Sequence, residues 1–186
     1  MNKTKRLAYL SVLLAIAFIL SWIETIIPPL IPAIPGIKIG FANIIILFSV
    51  FNLKKSETFM ILSARLILNA LFFGNAVSLI YSATGGFLSF AAMAIIKKIS
   101  SKEIPSSIGG GIFHNIGQLS AAYFVLDSTA VFSYLPYLII SGILSGSLTG
   151  FITDKINKRM RPDFFNPNAF ILFNNTVFHY DKIRYI

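Results

Sequence analysis

Six apolar runs, separated by short polar breaks, constrain this chain more than any other feature. They cover about residues 7–27, 39–53, 56–73, 76–96, 105–126 and 131–153. Each has about the 15 to 22 residues that an α-helix needs to cross a bilayer. One run of that length can be a buried helix of a soluble protein. Six in succession, with so few charges between them, predict an all-α integral membrane bundle of six spans. Composition agrees: 12% of residues are charged, against about 25% in an ordinary soluble domain. A disordered chain is excluded on these grounds, and a soluble enzyme is not expected. The first run is too long for a signal-peptide core and lacks a small-residue cleavage site, so it is read as the first span.

The net charge is +9, a figure that elsewhere points to nucleic acid. Here the position of the charges decides. Lys3, Lys5 and Arg6 precede the first run, and Lys54 and Lys55 separate the second from the third. Lys97, Lys98 and Lys102 separate the fourth from the fifth, and Lys155, Lys158, Arg159 and Arg161 close the sixth. All twelve fall on one side of an alternating bundle; Lys38 alone falls on the other. By the positive-inside rule both termini are expected in the cytoplasm of a cell-membrane protein. The basic charge is then topological, and no nucleic-acid partner is expected. Cysteine is absent, which removes disulfides and thiolate chemistry. Residues 1–160 are read as the membrane domain. Residues 161–186 are read as an aromatic tail, cytoplasmic or at the inner interface, with no assigned role.

Polar residues inside spans are costly and mark cavities or partners. Arg65 and His114 each stand nine residues into a run that starts on the basic side, a depth of roughly 13 Å at the rise of an α-helix. Asn69 lies one turn beyond Arg65, and Gln118 one turn beyond His114, with Asn115 adjacent. Two polar ladders at matching depth predict a shared polar interior. Arg65 is read either as a substrate contact or as a brace paired with Glu24. His114 and Asn115 are read either as site residues or as interhelical glue. Tyr81 either lines the pocket or packs as core. No second ligand stands at metal spacing from His114, so no metal and no cofactor are expected.

The stretch from Glu24 through Pro28, Pro29, Pro32 and Pro35 to Lys38 cannot be regular helix. It is long, stiff and apolar, and is read as a lid over the outer face. Gly36 and Gly40 let the chain turn back into the membrane toward Asn43. Lys38, Arg65 and His114 together favour an anionic ligand, with Glu24 able to pair with one of them. Gly142, Gly146 and Gly150 repeat every four residues. They form a small-residue stripe for packing within the bundle or for docking a second membrane protein.

These residues carry a family resemblance. Glu24 with its prolines, PGIKIGFAN at 35–43, the stretch from Arg65 to LFFGN at 71–75, YSATGG at 81–86 with Ser89 and Met93, and HNIGQL at 114–119 form one set. The chain from about Lys5 to Thr153 resembles the Gx transporter family, often labelled heptaprenyl diphosphate synthase component I. That family's bundle is similar to the substrate-binding S components of energy-coupling-factor transporters. The resemblance implies capture of a small molecule, with a transmembrane coupling protein and ATPase subunits as partners. The chain has no Walker motif, so ATP would be used by a partner. The synthase label implies Asp-rich diphosphate motifs, yet no two Asp are adjacent here. A non-catalytic, membrane-embedded uptake component is therefore expected. The other reading is a membrane subunit or anchor in a quinone, flavin or isoprenoid assembly.

Overall fold

The structure is a computed structural model, and residues 3–27 and 40–160 are described. It is all-helical: α1 (Lys3–Ile26), α2 (Phe41–Asn52), α3 (Lys55–Phe73), α4 (Ala76–Ser100), α5 (Glu103–Leu126), a 3-10 helix (Thr129–Tyr134) and α6 (Leu135–Met160). Four stretches are long and apolar enough to cross a membrane: α1, α3, α4, and α6 with the 3-10 helix that leads into it. The chain is thus of the multi-pass membrane type. Its outer surface fits that class, because α1 alone exposes Leu7, Val12, Ile16, Ile19, Trp22 and Ile26. An apolar exterior of this extent is unstable in water and natural in lipid.

Three expected spans differ. The fifth run forms the 24-residue α5, which is long enough but, with its glycines, serines, His114, Asn115 and Gln118, is not among the stretches apolar enough to cross a membrane. The sixth run begins as the 3-10 helix, and α6 continues past the run's expected end at residue 153 to Met160. The second run is the most consequential. Helix α2 has only 12 residues, about 18 Å of rise against a hydrocarbon core of about 30 Å. It packs against every other α-helix and buries Ala42 and the whole run from Ile44 to Val50. A helix that is apolar all round belongs in the centre of a bundle. The core forms around it, with Leu13 and Ala17 of α1, Ile61, Leu62 and Leu66 of α3, and Met93 of α4.

This short helix starts inside the bundle at the cavity and ends among the helix ends of the basic side, leaving orphan amides at the first and orphan carbonyls at the second. Neighbouring helices supply charges of the right sign. At its N-terminus the Glu24 carboxylate accepts from Gly40 N–H and from Phe41 N–H, the latter at 2.8 Å. Gly40 itself sits at φ +84°, the left-handed region that favours glycine. At the C-terminus Lys97 Nζ donates to Val50 O at 2.8 Å. Each charge complements the dipole end it meets. Glu24→Ala is expected to lower stability by about 1–2 kcal/mol, read as a lower melting temperature in detergent. An unchanged melt would show that α2 needs no cap.

The helix ends that carry the basic clusters are tied together. Arg6 of α1 pairs with Glu57 of α3. Asn52 Nδ2 donates to Asn157 Oδ1 at 2.8 Å, and Asn157 Nδ2 donates to Glu103 Oε1 at 2.9 Å. Together with Lys97 on Val50 O, these bonds gather the starts of α1, α3 and α5 with the ends of α2, α4 and α6. The bundle therefore alternates in direction, with one basic end. Helix α5 packs along α4 on one side and α6 on the other. The glycine stripe of α6 faces α5: a Cβ on Gly142 would meet Gly111 and Ile112 backbone at 2.9 Å. The stripe is therefore used inside the fold.

Candidate functional site

Toward the end opposite the basic clusters, the helices part around a cavity of about 150 Å³. Helix α1 contributes Ser21, Glu24 and Thr25, and the start of α2 contributes Gly40 and Asn43. Arg65 and Asn69 come from α3, Ser78 and Ser82 from α4. His114, Asn115 and Gln118 come from α5, and Ser145 from α6. The two polar ladders read from the sequence do meet.

Hydrogen bonds divide these groups. Ser21 Oγ donates to Ala17 O at 2.9 Å and Thr25 Oγ1 to Trp22 O at 2.6 Å. The Ser78 hydroxyl belongs to a capping box at the start of α4, accepting from Asn75 N–H at 2.9 Å. Asn75 Oδ1 accepts from Ser78 N–H at 2.8 Å in return, which is why the chain breaks so tightly at Gly74 and Asn75. Asn115 is a brace: its Nδ2 donates to Leu138 O at 2.6 Å and Ser141 Oγ at 3.2 Å, joining α5 to α6. Glu24 caps α2 and makes no ion pair with Arg65.

What remains is a polar set without hydrogen-bond partners among the described residues. Arg65 is 5% exposed, and its Nε is buried with no hydrogen bond. Asn69 Oδ1 is likewise buried without a partner. The side-chain amides of Asn43 and Gln118 line the same space and make no hydrogen bond to a described residue. A buried guanidinium Nε–H and a buried amide oxygen without hydrogen-bond partners carry a desolvation cost that structure normally avoids. A bound polar molecule, or water, removes that cost.

Two sequence candidates fall elsewhere. Tyr81 is half-buried on α4 but does not line the cavity, because Ser78 and Ser82, one turn apart, hold that face. Lys38 lies in 28–39, outside the described residues, as does most of the proline-rich stretch. Sequence reading missed Ser21 and Thr25, although their spacing with Glu24 is the signature of one helix face. It also missed Ser82 and Ser145. Among the described residues no three His, Asp or Glu side chains gather as a metal site.

The fold and the cavity define a class, a multi-pass helical membrane protein with a buried polar chamber. Comparison with known families gives the particular one. Residues 13–156 match the family model described as heptaprenyl diphosphate synthase component I, and the chain belongs to that family. No curated protein and no solved structure gives a match.

Proposed function

We propose that this protein is a non-catalytic, membrane-embedded substrate-binding and uptake component. It captures a small anionic or amphipathic organic molecule at the outer face of the cell membrane. One observation carries the reading: a cavity in which buried Arg65 and half-buried Asn69 each present a buried polar atom that no described residue hydrogen-bonds. A cation held in low dielectric without a direct ion pair attracts an anion strongly. In this reading all six helices belong to one membrane domain, with α2 as a buried half-length element. Half-length helices whose N-terminus opens into a cavity recur where transporters bind substrate. The basic end is cytoplasmic, so both termini are cytoplasmic and the cavity lies on the outer side. Similarity to S components makes a transmembrane coupling protein and ATPase subunits the partners.

The chain lacks cysteine, which makes the orientation directly testable. Single cysteines at Ser128 and Lys158 are expected to react oppositely with a membrane-impermeant maleimide on intact cells. Ser128→Cys is labelled and Lys158→Cys is protected; the reverse pattern overturns the orientation.

The family description supports a second reading, in which the chain is a subunit or anchor of an isoprenoid, quinone or flavin assembly. Gentle copurification separates the two. Coupling protein and ATPases support uptake, whereas a prenyl-synthase or redox partner without them supports the anchor.

A further inference from the structure

Arg65 and Asn69 are one turn apart on α3 and face the same cavity, yet their unsatisfied atoms are of opposite kind. Arg65 Nε–H is a donor that needs an acceptor, and Asn69 Oδ1 is an acceptor that needs a donor. The two side chains do not satisfy each other, although residues at this spacing are neighbours on a helix surface. The surrounding hydroxyls of Ser21, Thr25 and Ser78 already donate to helix carbonyls. Glu24 accepts from the start of α2, so its charge is offset by amides. Arg65 is the only Lys or Arg lining the chamber among the described residues.

We propose that the chamber selects a small organic anion that also carries an O–H or N–H donor, set about one helical turn (~6 Å) from its charge. The anion pairs with Arg65 and the donor with Asn69 Oδ1. The proposal rests on the ligand-binding reading above and adds to it a rule of selection. Anions without the donor leave Asn69 Oδ1 desolvated and bind more weakly, because an unmet buried group carries its full desolvation penalty. Neutral molecules with the donor leave the guanidinium unmatched.

The test uses the full chain in lipid nanodiscs and three probes of similar shape. They are 4-hydroxybenzoate, 4-methylbenzoate and 4-hydroxybenzamide, compared by calorimetric titration. The hydroxyl of the first stands about one helical turn (~6 Å) from its carboxylate. The wild-type chain is expected to bind 4-hydroxybenzoate about tenfold more tightly than 4-methylbenzoate. It is expected to bind 4-hydroxybenzamide more weakly than either acid. Asn69→Leu should abolish the preference between the acids while both still bind. Equal affinity for the two acids in the wild-type chain overturns the proposal without any variant, as does a preference that survives in folded Asn69→Leu. Both of those outcomes leave the cavity reading standing, provided Arg65→Gln abolishes acid binding. If no acid binds, or if Arg65→Gln changes nothing, the cavity reading falls together with the proposal.

Discussion

Replacing Arg65 by Met is expected to abolish anion capture while leaving the bundle at least as stable. The two effects have one cause. The guanidinium is 5% exposed and its Nε has no hydrogen-bond partner among the described residues, so the folded protein carries a desolvation cost that the charge of Glu24 offsets only in part. Arg65 makes no direct ion pair among the described residues, so an apolar replacement removes its desolvation cost without breaking a buried pair. Met has comparable length and fills irregular space, and the cavity wall there already includes apolar Leu66. The melting temperature in detergent should therefore hold or rise. Binding of a small anion should fall at least about 100-fold, because the charge that pairs with it is gone. A variant that melts well below the wild-type chain would show instead that Arg65 braces the fold.

The opposite pattern is expected for Gly146→Leu. A Cβ at this position would stand 2.7 Å from Ile108 Cα and 2.7 Å from Ser107 O, both backbone atoms of α5. Gly150 faces the same helix, with Ile104 Cα 2.8 Å from a Cβ there. Backbone cannot give way as a side chain does, so α6 must separate from α5. That separation also pulls apart Ser107 and Thr149, whose hydroxyls are 2.7 Å apart, and displaces the α5 wall of the cavity. We expect a loss of about 3 kcal/mol, seen as failure to accumulate as a monodisperse protein. Leu144→Ala, at a position 67% exposed on the outside of the same helix, is the control and should be silent. Normal accumulation of Gly146→Leu would mean that the seam is looser than described.

Much of this was legible in the sequence. The apolar runs, the polar breaks and the alternating basic clusters define helices and their alternation directly, since each depends on local chemistry. The meeting of Arg65 and Asn69 with His114 and Gln118 was legible too, because helical rise converts position into depth. The roles of individual polar groups were not, because they depend on packing. Glu24, read as able to pair with a cation, caps α2 across an intervening segment. Asn115, read equally as glue or contact, bonds to Leu138 O on α6. Tyr81 shares a helix with the cavity wall but stands beside the face that Ser78 and Ser82 occupy. The network of Asn52, Asn157 and Glu103 joins residues with no sequence signal to link them. Helix α2 offered a signal that was passed over. A run from Ile44 to Val50 with Ser49 as its only polar residue predicts a helix surrounded on all sides.

The central claim is that the chamber around Arg65 holds a small anion. Its most direct test is mass spectrometry of the small molecules released from gently purified wild-type protein and from Arg65→Met. The account predicts a stoichiometric organic anion bearing a hydrogen-bond donor in the wild-type sample and its loss from the variant. Identical contents in the two samples, or a neutral isoprenoid lipid retained equally by both, would contradict it.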